Sequence, residues 1–351
     1  METNFLKKTS ALLILVVILV SLYLVPLALG HAPLGTGDNE KISTATVIPD
    51  PTKSWALYSA LNADGDPQYY TFNVTAGQRI HVMLLKSMRS NEETFLPMFV
   101  VLGPQIPKQG TPIDKVVIPS GDSWQVVSSQ HPAATYEPFS PSSFYALSDT
   151  AFDAPASGQY YVVVYENNTL PTGGHYGLAI GDRESYTLDE WVLLPLNLLS
   201  IYQWEGQSLM GIVAPMIATV IIGMILVAWR LRKQYQMDNP FSWVGALAGL
   251  VLIGSGADTL LQMIITISAT KVAPEALVTM IFAILPIALG LVALRLSLLN
   301  QGKIGVKRRA YLVIIGVASL FLWAGIFIGP ILAVTTSIMP TKIGKAEKQK
   351  S

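Results

Sequence analysis

The rhythm of apolar and polar positions changes twice along this chain. Residues 11–29 form one unbroken apolar run behind Lys7 and Lys8. From His31 to about Arg183, short stretches alternate apolar with polar residues and are separated by Gly, Pro, Asn, Asp and Ser. Beyond residue 206 the pattern returns to long apolar runs, at 209–229, 243–267, 276–299 and 310–334. Alternation of period two predicts strands with two different faces. Apolar runs of about 20 residues predict membrane-spanning helices.

In the middle region, "QYYTFNV" (68–74), the turn "TAGQ" and "RIHVMLL" (79–85) read as a hairpin. In its second strand Ile80, Val82 and Leu84 face one way, and Arg79, His81, Met83 and Leu85 the other. Further strands are expected at 94–103, 115–120, 125–129, 158–166 and 175–181. Together they predict a β-sandwich over residues 31–187. Residues 188–206, "LDEWVLLPLNLLSIYQWEG", are too short to span and are interrupted by Pro195. Trp191, Tyr202 and Trp204 suit a segment lying at the membrane surface, where aromatic side chains concentrate.

At the N-terminus, Pro26 precedes Ala28 and Gly30, small residues that fit a signal-peptide cleavage site. The same run is long enough to remain as an anchor. Residues 1–30 are therefore a signal peptide or an anchor, and both export the sandwich. The bundle, residues 207–337, is expected to hold four helices, five if the N-terminal segment is retained. With the sandwich outside, Arg230, Arg232, Lys233, Arg295, Lys303, Lys307, Arg308 and Arg309 lie in the cytoplasm, as the positive-inside rule asks. A single crossing by 310–334 puts the basic tail, residues 338–351, outside with Lys342, Lys345, Lys348 and Lys350, against that rule.

Composition narrows the chemistry. Lys+Arg and Asp+Glu both number 23, so there is no basic surplus for nucleic acid. The absence of cysteine excludes disulfides, thiolate metal sites and cysteine nucleophiles. No nucleophile-elbow serine, phosphate-binding glycine loop or HExxH helix occurs, and the expectation is a protein that is not an enzyme.

Four stretches, "GDPQYYTFNVTAGQRIHVMLL", "FLPMFVVLGP", "APASGQYYVVVYENN" and "GHYGLAIG", resemble in order the bacterial and archaeal pre-peptidase C-terminal (PPC) domains. The resemblance covers residues 64–181 and none of the helical region. It implies a jelly-roll-like sandwich acting as an accessory module that binds glycans, matrix or neighbouring domains, in some members with calcium. This chain departs from the family context in having a membrane bundle after the domain and no hydrolase before it.

The candidate chemistry is sparse. If cleavage follows Gly30, the free amine and imidazole of His31 offer two nitrogens to copper, and His81, His131 or His175 could complete a site. Otherwise all four are scattered polar residues. Asp64 and Asp66 in "NADGDPQ" suit a calcium loop or a turn closed on its own backbone. Ser255, Asp258, Gln262 and Thr266 recur every three or four residues and share one helix face inside a predicted span. That face either handles a proton or ion or bonds helix to helix, and "GALAG" at 245–249 on the same helix favours packing. Asn73 and Asn167 head glycosylation sequons. The expected whole is an all-β jelly-roll-like sandwich followed by an all-α transmembrane bundle, in the plasma membrane with the sandwich extracytoplasmic. Its expected role is surface binding or complex assembly, with membrane lipid and a glycan, envelope protein or membrane-complex subunit as partners. Copper handling through His31 and a small transporter or sensor around Asp258 stand as alternatives.

Overall fold

The computed structural model describes residues 30–130, 133–138, 140–168, 170–234, 237–270, 274–299 and 304–341. The signal-or-anchor segment, His131 and the tail lysines lie outside them.

Among the described residues the N-terminal half holds eleven strands: β1 (Ala32–Pro33), β2 (Thr46–Val47), β3 (Trp55–Leu61), β4 (Gln68–Val74), β5 (Arg79–Ser87), β6 (Pro97–Gly103), β7 (Ser123–Val127), β8 (Ala133–Glu137), β9 (Ser142–Asp153), β10 (Gly158–Glu166) and β11 (Gly174–Ile180). They form a six-stranded sheet, β1-β3-β11-β5-β9-β8, against a five-stranded one, β2-β4-β10-β6-β7. The predicted alternation in β5 holds: Ile80, Val82 and Leu84 enter the core with Leu57, Phe72, Phe99, Val162 and Leu178. Deep in that core the Tyr70 and Tyr176 hydroxyls bond each other at 2.5 Å, so neither phenol is buried without a partner.

Two strand expectations are corrected. β4 and β5 do not form a hairpin; β4 pairs with β10 and β5 with β9 and β11. The turn between them carries the chain from one sheet to the other. Gly77, at φ 80°, donates its N–H to Ala154 and fixes that crossing. Residues 115–120 are no strand but part of the loop that lays Ile113, Val116 and Ile118 on the outer face of the five-stranded sheet.

The second half is helical: α1 (Leu188–Trp204), α2 (Leu209–Lys233), α3 (Pro240–Ala269), α4 (Ala276–Leu298), α5 (Val306–Phe321) and α6 (Ile328–Ile338). By length and composition α2, α3 and α4 can cross a membrane, with 25, 30 and 23 residues. At 1.5 Å per residue the shortest is about 35 Å, more than the ~30 Å hydrocarbon core. The small residues of "GALAG" do pack: a Cβ on Gly249 would strike the Gly290 carbonyl oxygen, and one on Gly290 would strike that of Gly249.

The fourth apolar run does not cross as one helix. α5 and α6 fold back on each other through Leu322–Phe327, where Trp323, Gly325, Ile326 and Phe327 all take positive φ. Three of these are bulky residues in a region they rarely adopt, a conformation held by its surroundings. Arg309 donates to the Ser337 carbonyl, and Phe241 N–H to that of Pro340 at 3.2 Å. Both ends of the hairpin thus lie at the bundle end far from the sandwich, beside Arg308, which donates to Leu296. Pro330 falls in the first turn of α6, where its missing N–H breaks no helical bond.

Candidate functional site

The amphipathic connector α1 determines what lies beneath it. Thr187 and Glu190 cap its start reciprocally: Thr187 N–H donates to Glu190 Oε2 at 2.8 Å, and Glu190 N–H donates to Thr187 Oγ1 at 3.4 Å. The same Glu190 carboxylate receives Lys53 Nζ, 2.6 Å from each oxygen, in a pair that is mostly buried. At the other end Arg89 donates to the carbonyls of Trp204 (2.8 Å) and Gln203 (2.7 Å), a cation placed where helix carbonyls lack partners. Trp204 Nε1 reaches back to the carbonyls of Ser59 and Tyr176, each at 3.2 Å. Both helix ends are therefore fastened to the six-stranded sheet.

Between those fastenings the helix stands off the sheet over a cavity of about 290 Å³. Its floor comes from outward positions of the strands, including Ala56, Met83, Leu85 and Ala146, and its roof from Leu194, Leu198 and Ile201. Trp323 of the hairpin tip also lines it. That indole packs 4.5 Å from Trp191 and stacks 5.5 Å from Phe282, and among the described residues its buried N–H meets no hydrogen-bond partner. Gly177 can carry no side chain, since a Cβ there would run into Leu85.

The polar part of the lining includes His31, Tyr58, Glu137 and Tyr186. Burial, reinforced by the neighbouring His81, holds the His31 imidazole below its usual range. Burial, and after it the charge of Glu137, pushes the hydroxyls of Tyr58 and Tyr186 up.

A second polar seam joins sandwich to bundle. Tyr136 Oη bonds Thr279 Oγ1 at 2.8 Å, and Thr266 donates to the Pro141 carbonyl at 2.8 Å. Ser143 N–H donates to Glu205 at 2.7 Å. Gln207 and Gln262 exchange amide hydrogen bonds at 2.8 and 2.9 Å. Burial pushes the Glu205 carboxyl up to about 7, despite the Ser143 and Gln207 bonds that favour its charged form.

The sequence-derived candidates fall elsewhere. His31 Nδ1 is bonded to Ser54, and both His81 nitrogens are taken, by Asp149 at 2.7 Å and Asp182 at 2.5 Å. His175 lies toward the opposite end of β11, held by Glu92 at 2.6 Å. Among the described residues no group of three or more His, Asp or Glu converges on a metal position; His131 lies outside them. In the Asp64–Asp66 turn, Lys115 Nζ donates to the Asp64 carbonyl at 2.6 Å and to Asp66 at 3.0 Å. On α3, Asp258 accepts the N–H of Met216, one residue past Pro215, at 2.9 Å. The ring of Pro215 disturbs the helical ladder there, and Asp258 supplies an acceptor. Ser255 accepts Thr259 through its carbonyl at 3.1 Å, within the same helix. The polar face thus bonds α3 to α2, to the connector and to the sandwich. Asn73 and Asn167 are both exposed.

No family model and no curated protein matches the chain. Two solved structures are similar to part of it. One is the pre-peptidase C-terminal domain of collagenase from Bacillus anthracis, 16% identical over 42% of this chain and 94% of that one, with a TM-score of 0.20. The other is the Methylococcus capsulatus secreted protein MopE, in which an oxidized tryptophan facilitates copper binding; it is 12% identical over 44% of this chain and 100% of that one, with a TM-score of 0.18. The N-terminal region is a two-sheet β-sandwich whose strand motifs resemble those of PPC domains, and likenesses this distant carry no argument about function.

Proposed function

We propose that this is a multi-pass plasma-membrane protein that holds its sandwich on the extracytoplasmic side as a binding module, and that it is not an enzyme. The observation that carries the binding role is the cavity: the six-stranded sheet is covered by a clamped helix and a hairpin tip that leave about 290 Å³ unfilled. That volume is at the lower edge of small-ligand sites, roughly 300–1,000 Å³. Apolar residues of α2 such as Ile221, Ile222, Ile225 and Leu226 are largely exposed and suit lipid or a membrane-complex subunit.

The orientation rests on charge. Arg230, Arg232, Lys233, Arg295, Arg308 and Arg309 all lie toward the bundle end away from the sandwich, which makes that end cytoplasmic. The hairpin returns the chain to that same end, so the tail lysines obey the rule that a single crossing would break. Because the chain has no cysteine, single-cysteine variants report cleanly. A membrane-impermeant maleimide should label Lys108→Cys on intact cells and Lys345→Cys only after lysis. Labelling of Lys345→Cys on intact cells would overturn the hairpin topology, and protection of Lys108→Cys would overturn the exported sandwich.

A further inference from the structure

Cations are treated differently in the two halves of the molecule. In the sandwich, Lys53, Arg79, Arg89, Lys115 and Arg183 each lie no more than 3.9 Å from a carboxylate. At the bundle end away from the sandwich, Arg230, Arg232 and Lys233 close α2, Arg295 lies in the last turn of α4, and Lys307, Arg308 and Arg309 open α5. Among the described residues none of these meets a carboxylate, and that end carries a single acidic side chain, Asp238.

The helix α4 joins the cations into one surface. Leu231 of α2 shares a cluster with Leu294 and Leu298 of α4, and Arg308 of α5 donates to the carbonyls of Leu296 and Leu299 at the end of the same helix. Arg309 donates to the Ser337 carbonyl of α6. The two adjacent guanidiniums stand 5.6 and 5.5 Å from the centre of one ring, Phe241. Helix carbonyls and a ring face offset part of their charge. Like charges that share a ring still repel, and each guanidinium has N–H donors beyond those its carbonyl bonds use.

The same helices fix the depth of this surface. On α2, Ile222, Ile225, Leu226 and Trp229 are exposed and lead directly to Arg230, and Lys233 lies over the Trp229 ring at 3.6 Å. On α5, Val313, Ile314 and Val317 are exposed within about three turns of Lys307. Apolar flank, tryptophan and then cation is the order in which a leaflet presents hydrocarbon, interface and phosphate. A soluble anion would use the cations and leave the apolar flanks unused.

We propose that this end of the bundle binds anionic phospholipid, its chains along the exposed flanks of α2 and α5, its phosphate among the unpaired cations, and Arg308 and Arg309 as the fixed pair. The test follows thermal unfolding of the full chain in nanodiscs of phosphatidylcholine with increasing phosphatidylglycerol. The Tm should rise with phosphatidylglycerol, and the rise should shrink as salt is added. Arg230→Gln combined with Lys307→Gln removes two exposed cations that hold no other described group. Its Tm in pure phosphatidylcholine should match that of the native chain. The preference for phosphatidylglycerol should fall about thirtyfold, the worth of two cations beside an anionic surface.

Lys41→Gln with Lys108→Gln removes the same charge from exposed positions of the sandwich and should leave the preference unchanged. An equal loss in that pair would overturn the site in favour of attraction by net charge. A Tm indifferent to phosphatidylglycerol, or a rise that salt does not reduce, would overturn it outright. The same rise produced by glycerol phosphate in phosphatidylcholine discs would assign the surface to a soluble anion and overturn the lipid.

Discussion

The two outer faces of the sandwich are both apolar and are covered in different ways. On the five-stranded sheet, Val100, Leu102 and Val163 are fully buried beneath the chain's own loop, with Val116 and Ile113 packed directly on them. On the six-stranded sheet the cover comes from α1, which begins eight residues after β11, and from the hairpin tip, more than a hundred residues further on, and a cavity remains. A loop joined to the sheet it covers can adjust side chain by side chain until the space is filled. A helix held at both ends and committed to a membrane bundle is positioned by those attachments, and the sheet beneath it need not be filled. The covering of the first face fills the space above it; that of the second leaves a cavity.

The largest expected effect comes from releasing the second cover. Lys53→Met leaves the Glu190 carboxylate buried without its cation and should cost about 4 kcal/mol of attachment of α1. Trypsin should then cut near Arg183 before the sandwich unfolds, and an unaltered cleavage pattern would show that the clamp is dispensable. A matched pair of truncations sharpens the contrast. Leu102→Ala, under the loop, should cost about 3 kcal/mol by leaving a void in a close-packed cluster. Leu85→Ala, whose side chain already borders empty space, should cost about 1 kcal/mol, because it has fewer packing partners to lose. Equal losses in thermal or denaturant unfolding would mean that the two faces are packed alike.

Much of this was legible in the residues, and the failures have physical causes. The strand alternation at 79–85 and the runs of α2, α3 and α4 announced themselves because burial on one side imposes a period. The hairpin at 68–85 misled because a four-residue glycine turn serves equally to reverse a strand within a sheet or to cross between sheets. Residues 310–334 read as one helix since hydropathy records only the total apolar length; the turn depends on backbone conformations at Trp323, Ile326 and Phe327 that no propensity favours. The cavity did leave a trace. Met83 and Leu85 on the face opposite Ile80, Val82 and Leu84 make a strand apolar on both sides, and an antiparallel sheet of that kind needs a second cover. What no periodicity could say is that part of the cover would come from the distant hairpin tip. The histidines drew attention as the only imidazoles, yet their partners Asp149, Asp182 and Glu92 come from distant sequence.

The last expected effect separates the two covers by pH. Glu205 lies in the seam that joins the remote cover to the sandwich, and burial raises its carboxyl from an ordinary 4.5 to about 7. A group that holds its proton more tightly when folded makes the folded state bind more protons than the unfolded one. Its contribution is then complete below about pH 4.5 and is lost as pH rises toward 7. Allowing for partial exposure, the loss is about 2 kcal/mol across that window. Glu205→Gln, uncharged throughout and still able to accept from Ser143, should flatten the dependence and be the more stable form at neutral pH. Hydrogen exchange at the Ser143 N–H between pH 4.5 and 7, corrected for intrinsic rates, reads this directly, with the β6 amides beneath the loop as an internal reference. Protection at Ser143 that falls with pH in the native chain and holds steady in Glu205→Gln would place the sensitivity in the remote cover. Protection that falls equally at Ser143 and in β6 would mean that the sandwich responds as one body and that the two covers do not differ in this respect.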